Sequence, residues 1–342
     1  MTKVLLTGSS GYIGKHITLR LLTDGFEVKA SVRSSVKADE VRAAMVAHLP
    51  AGFDLGAKLS FVELDLESDA GWDAAIAGVD VLVHSASPFP ISSPKDENEL
   101  IRPAVEGTLR ALRAAHEAGV KRVILTSSVA AIYGNDKPAS GEFDETFWTN
   151  VNHPVGQVPY TMSKTLAEKA AWDYISSDAP ELQLTTINPV LVAGAPLDKH
   201  FGSSVSVVER VLIGKDPLLP DLSFSIVDVK DVATMHVKAI TTDAAIGERF
   251  IASAGSRTFI QIAKAVKAAF PKRKISTIQA PSFVIRFLSL FDSEIKAVLP
   301  TLGKHIGVNS SKAQKVLGIN FIPVETSLVA TSHYLVDNGF VA

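Results

Sequence analysis

Three glycines at spacing three, Gly8, Gly11 and Gly14, fall where the apolar run Lys3-Val4-Leu5-Leu6-Thr7 gives way to an amphipathic one. Ile13, Ile17, Leu21 and Leu22 then recur at helical spacing until Asp24-Gly25, a helix stop. A strand, a tight glycine turn and a helix form the context that gives such glycines meaning. Gly8 permits the turn, Gly11 lets backbone approach a pyrophosphate, and Gly14 lets the helix pack on the strand. The open N–H groups of the first helical turn then face the phosphates. The same glycines also fit a purely structural turn. Their place in the first βα unit favours a dinucleotide site, with contacts expected from Gly8, Ser10, Gly11, Tyr12, Ile13 and Gly14.

The next strand, 26–33, ends in Val32-Arg33, with Lys37 close behind. A site selective for NAD places an acid here for the ribose 2′-hydroxyl, whereas an arginine accommodates a 2′-phosphate. No carboxylate stands at that position, so the expected cofactor is NADPH/NADP+.

Strands and helices keep alternating. Expected strands cover 58–64, 79–84, 120–126 and 182–187, separated by helical patterns over 37–47, 97–116 and 157–176. This rhythm implies an α/β fold: a right-handed, doubly wound parallel sheet of the Rossmann type. Ligands of such sheets lie beyond the carboxyl ends of the strands. Polar residues cluster there: Asp65-Leu66, Ser85-Ala86-Ser87, Ser127-Ser128 and Asn188-Pro189. From Gly194 the rhythm loosens. The chain has 342 residues, beyond the about 250–300 at which a single core stops growing. We therefore expect a dinucleotide-binding domain over 1–193 and mainly a substrate lobe over 194–342, with about 224–240 rejoining the first.

Composition narrows the function. The net charge of −2 offers no field for nucleic acid or an anionic membrane. Cysteine is absent, which removes disulfides, thiolate catalysis and zinc–sulfur sites. The nine histidines show no metal-ligand spacing, so no metal is assigned. No run of about 18 uncharged apolar residues occurs. Met1 is followed almost at once by the first strand, leaving no room for a leader. The expectation is a cytoplasmic protein, monomeric or homodimeric.

Tyr160 and Lys164 stand four residues apart within a helical pattern, hence on one face. A neighbouring ammonium stabilises a phenolate and lowers its pKa, so the pair can exchange a proton with a carbonyl oxygen. A second Tyr-x-x-x-Lys, Tyr133 to Lys137, lies in a Gly-Asn-Asp-Lys-Pro turn where that spacing does not imply a shared direction. Ser128 lies 32 residues before Tyr160, at the end of the fifth strand, where a hydroxyl can orient a carbonyl. Ser127 competes for the role, because alternation admits only one of the two. No Gly-x-Ser-x-Gly elbow surrounds either serine. His84 reads as a buried residue behind the site.

Together these motifs resemble the extended short-chain dehydrogenase/reductase superfamily, over nearly the whole chain. Within it, His84 to Phe89, Ser163 to Trp172 and Asp228 to Ala233 are similar to the branch of dihydroflavonol reductases, cinnamoyl-CoA reductases and NADPH-dependent aldehyde/ketone reductases. The resemblance implies Ser128, Tyr160 and Lys164 as the catalytic triad, with Arg33 and Lys37 on the 2′-phosphate. It implies that Asp65 and Leu66 flank the adenine, and that Ala86, Ser87, Pro189, Val190 and Val192 line the nicotinamide side. Two departures narrow the branch. Tyr133 stands where dihydroflavonol reductases carry asparagine, and Val158-Pro159-Tyr160 replaces the cinnamoyl-CoA reductase signature. Glu106 stands where some relatives place an asparagine that holds a relay water.

The leading expectation is an enzyme that reduces a small apolar aldehyde or ketone. Phe89 and Tyr133 are expected at the substrate, with the apolar stretches 88–90, 130–133 and 205–208 above the nicotinamide. Alternatives are an NAD-dependent nucleotide-sugar epimerase or dehydratase, which usually carries an acid where Arg33 stands, and a 3β-hydroxysteroid dehydrogenase-like enzyme. A non-catalytic NADP sensor is the third, and such proteins typically lose the tyrosine or the lysine.

Overall fold

The computed structural model describes residues 1–87, 96–291 and 299–341. Strands β1 (Lys3–Thr7), β2 (Glu27–Val32), β3 (Leu59–Glu63), β4 (Val81–His84) and β5 (Arg122–Thr126) alternate with helices. These are α1 (Tyr12–Thr23), α2 (Ser35–His48), the single turn α3 (Leu55–Lys58), α4 (Trp72–Ile76) and α5 (Asn98–Glu117). The short strand β6 (Glu142–Phe143) and helix α6 (Pro159–Ser177) lead to β7 (Gln183–Pro189) and β8 (Leu191–Ala193). The second half carries α7 (Ser206–Ile213), β9 (Ser223–Asp228), α8 (Val229–Thr241), β10 (Arg249–Ala252), β11 (Gly255–Thr258) and α9 (Phe259–Ala269).

Seven strands form one parallel sheet in the order β3-β2-β1-β4-β5-β7-β10. Strand order reverses between β1 and β4, which opens the crevice where a doubly wound sheet takes its ligand. Both faces are covered, and the side chains divide accordingly. Val4, Leu6, Val83 and Ile124 enter the core shared with α1 and α8. Leu5, Leu82, Val123 and Leu125 enter the core shared with α5 and α6. An unbroken apolar strand with alternating destinations is what two-sided burial requires.

The last strand of this sheet, β10, comes from the second half of the chain and extends the edge at β7. The neighbouring segment β9 instead joins β8 and β11 in a separate three-stranded sheet. Its successor α8 returns to the large sheet and packs on α1. The stretch 205–208, expected above the nicotinamide, enters α7, with Val205 and Val208 fully buried in the main core. Ala130, Ala131 and Ile132 are equally buried. Apolar character placed these side chains in the core, because burial rewards apolar surface wherever the chain folds back.

Candidate active site

The glycine loop is shaped by contacts that admit no side chain. Gly8 takes φ +72°, and a Cβ there would lie 2.7 Å from the Ala86 backbone. At Gly14 a Cβ would lie 2.1 Å from the Gly8 carbonyl oxygen. Gly11 is exposed, and its amide donates to that oxygen at 3.0 Å. No side chain caps α1, so its first-turn amides, around Tyr12 and Ile13, stay available to an acceptor. Ser10 sits half-buried beside them. A concave backbone surface ending in free amides fits a pyrophosphate. The Tyr12 hydroxyl is turned away, donating to the Gly194 carbonyl at 2.7 Å. Lys15, fully buried, pairs with Asp198 at 2.5 Å. Both ties fasten the loop to the segment after β8. Sequence reasoning missed them, since a tyrosine and a lysine near a glycine motif carry no signal of partners about 180 residues away.

At the end of β2 the Arg33 side chain is exposed and takes part in no hydrogen bond or ion pair among the described residues. Lys37, one turn into α2, is already engaged: its ammonium donates to both Glu40 oxygens, at 2.7 and 3.0 Å. That contact, above all, lowers the Glu40 pKa. Asp65 is exposed at the end of β3, where it accepts from the Glu67 amide at 3.0 Å. Leu66 lines a cavity of about 760 Å³ together with Asn98, Arg102, Glu106 and Arg110. Glu106 is thus exposed at the side of the molecule where Leu66 lies.

Thr7 organises the next edge of the crevice. Its hydroxyl oxygen accepts from the Ser85 and Ala86 amides, both at 3.1 Å. Two accepted bonds leave its proton for His84 Nδ1, 2.8 Å away. His84 therefore carries its own proton on Nε2, which is buried with no partner among the described residues. Burial, with the Lys164 charge adding to it, lowers His84 to about 3, so the ring is neutral. Ser87 accepts from Lys164 Nζ at 2.8 Å.

Tyr160 and Lys164 come from α6, which starts with Pro159 at its first position. The Tyr160 hydroxyl donates to Ser128 Oγ at 3.3 Å. Ser127 faces the other way and donates to Glu168, so alternation at the strand end separates the two serines. Lys164 Nζ lies 5.9 Å from the centre of the Tyr160 ring. Enclosure lowers its ammonium to about 8, with Glu168 opposing the fall. Burial raises the Tyr160 phenol, and the bond to Ser128 pulls it partly back.

Tyr133, from the Tyr-x-x-x-Lys in the turn, is also here. Burial raises its phenol, Tyr160 adds to the rise, and a hydrogen bond with Thr161 opposes it. Lys137 is exposed, away from helical structure. The turn is held by Thr149, whose hydroxyl accepts from the Gly134 amide at 2.8 Å. Pro189 at the end of β7, Val190 just after it and Val192 in β8 are buried, with the Val190 amide donating to the Ala252 carbonyl at 3.2 Å. Phe89, with Pro88 and Pro90, lies outside the described residues.

The chain as a whole has known relatives. The model of the NAD dependent epimerase/dehydratase family matches residues 4–252. This chain belongs to that family, within the extended short-chain dehydrogenases/reductases. The ketoreductase azaE of Aspergillus niger is 34% identical, with 95% of this chain and 94% of that protein covered. Cinnamoyl-CoA reductase CAD2 of Medicago truncatula is 30% identical, over 98% and 96% of the two chains. Among solved structures, yeast methylglyoxal/isovaleraldehyde reductase Gre2 complexed with NADPH superposes with a TM-score of 0.81 at 25% identity. That match covers 99% of this chain and 100% of Gre2. Among the described residues no helix is long and apolar enough to cross a membrane.

Proposed function

We propose that this protein is an NADPH-dependent reductase that converts the carbonyl of an apolar aldehyde or ketone to an alcohol. One observation carries the reading: a phenol and a serine hydroxyl meet at 3.3 Å beyond the carboxyl ends of the sheet, with an enclosed ammonium one helical turn away. The ketoreductase, the cinnamoyl-CoA reductase and NADPH-bound Gre2 support it. The glycine loop would hold the pyrophosphate, Arg33 and Lys37 the 2′-phosphate, and Asp65 and Leu66 the adenine. When bound, NADPH supplies the hydride.

The residues divide the remaining work. Ser128 donates a hydrogen bond to the carbonyl oxygen and fixes its direction. Tyr160 delivers its hydroxyl proton to the same oxygen as the carbonyl carbon is reduced, giving the alcohol. The Lys164 ammonium stabilises the phenolate left behind, which regains its proton from solvent. Lys164 is enclosed and already donates to Ser87. His84 is neutral. An anionic substrate would be desolvated with a single enclosed cation, Lys164, as its partner among these groups.

Loss of NADPH fluorescence, followed with a neutral aryl ketone, an alkyl aldehyde, a carboxylated analogue and a UDP-sugar, tests the reading. Faster turnover of the neutral carbonyls is expected. Turnover of the carboxylated analogue alone, or no carbonyl reduction with any of them, would overturn it.

A further inference from the structure

Glu168 stands four residues beyond Lys164 and eight beyond Tyr160, on the same face of α6. It is buried, which demands partners for its charge. Its carboxylate accepts from Ser127 Oγ, from Asn188 Nδ2 at 2.7 Å, from Thr186 Oγ1 at 3.3 Å and from Arg249 Nε at 2.6 Å. Arg249 is itself fixed. It donates to the Glu145 and Phe147 carbonyls at 2.8 and 2.7 Å and lies 3.7 Å from the centre of the Trp148 ring. One carboxylate thus ties α6 to the ends of β5, β7 and β10. The amide of Asn188 closes the circuit, donating also to the Ser128 carbonyl at 3.1 Å.

An isolated stabilising role explains this poorly. Replacing a buried ion pair with apolar residues of similar size is often neutral or stabilising. Placing the pair one helical turn behind Lys164 has a clearer consequence. We propose that Glu168, acting within the reductase reaction inferred above, is a positioning residue that holds Ser128 in register and keeps the Lys164 ammonium charged. It touches neither substrate nor cofactor and acts through those two groups.

The charges around Lys164 agree. Burial works against its proton, and Glu168 opposes that effect. From β4, His84 adds no competing charge above about pH 3. From α8, His236 is held neutral down to about pH 4, with Nε2 at 2.7 Å from Thr126 Oγ1. Tyr133 and Tyr160, the phenols at this end of the sheet, are both raised and uncharged. Arg249 is the cation facing Glu168 from β10, with Lys164 one turn away on α6 itself.

The test is the pH profile of kcat with saturating NADPH and a neutral aldehyde. Glu168→Gln keeps the volume and an acceptor but leaves Arg249 buried and uncompensated. The double variant Glu168→Gln/Arg249→Met removes both charges, and Glu168→Asp retains the acid. Glu168 sits one helical turn from Lys164, and loss of an opposite charge within about 4–6 Å moves a pKa by about one unit or more. The alkaline limb should therefore fall by about one pH unit in Glu168→Gln and by less in the double variant, where loss of the Arg249 charge offsets part of the effect, with NADPH binding kept, and return in Glu168→Asp. A folded double variant with the limb of the unmodified protein would overturn the proposal. So would variants that lose activity only in step with folding, their surviving activity keeping the original limb. If the unmodified protein reduces no carbonyl, the reductase reading fails instead, a result separable from either of these.

Discussion

Cofactor choice should rest on Arg33 more than on Lys37, and the structure gives the reason. Lys37 already holds both oxygens of Glu40, so part of its charge is spent before a phosphate arrives. Arg33 is exposed and has no partner among the described residues. Its planar fork suits two-point contact with a phosphate. Hydrogen bonds to charged groups contribute about 1.5–3 kcal/mol when well enclosed. Solvent exposure pulls that down to about 1 kcal/mol. At about 1.4 kcal/mol per tenfold, Arg33→Ala should lower the NADPH-over-NADH ratio of kcat/KM about fivefold. Arg33→Asp sets a carboxylate against the 2′-phosphate and should invert the preference. Glu40→Gln frees Lys37 and should raise the ratio about two- to fivefold, the range of a surface ion pair. Both cofactors are compared by fluorescence at matched low ionic strength, because added salt shrinks every one of these differences. An unchanged ratio in Arg33→Ala, or equal use of both cofactors by the unmodified protein, refutes the reasoning.

Tyr160→Phe should lower kcat about 10²- to 10⁴-fold, the contribution of a positioned general acid, while NADPH still quenches or shifts its fluorescence on binding. Tyr133→Phe should keep most activity, because its hydroxyl is bonded to Thr161 and is not the one that faces Ser128. Gly14→Ala should abolish NADPH binding and lower the melting temperature, since its Cβ would meet backbone at 2.1 Å and such overpacking costs about 1–3 kcal/mol. Histidines 16, 84 and 236 are buried with pKa values lowered to about 3, 3 and 4, so the unfolded chain takes up protons near pH 6.5 that the native state refuses. Stability is full above about pH 6.5 and declines below it, by about 2 kcal/mol per histidine at pH 5. Asp231, raised to about 6, offsets part of this by protonating in the folded state first. An unchanged urea midpoint between pH 7 and pH 5 would count against the histidine argument.

Much of this was legible because strands, helices and the glycine turn are local. The expected strand 26–33 and helix 157–176 appear as Glu27–Val32 and Pro159–Ser177, since periodicity reports burial within a few residues either way. The meeting of Ser128 with Tyr160, and of Lys164 one turn on, was legible for a related reason. Strand ends and one helix face bring them together, and both follow from short-range pattern.

What stayed hidden depends on partners far along the chain. Tyr133 was legible as a turn residue near the substrate, but its bond to Thr161 beside Tyr160 was not, because the fold back through Thr149 decides its direction. The valines at 205 and 208 read as a substrate wall, yet the same apolar character fills the core, and sequence cannot separate the two uses. Strand β10 shows the same limit at the level of topology. Four residues after a loosened rhythm gave no sign that they would extend the sheet beside β7. That placement is what delivers Arg249 to Glu168, 81 residues away. The second half of the chain therefore does more than cover the crevice, since it completes the charge environment behind Tyr160 and Lys164 of the first half.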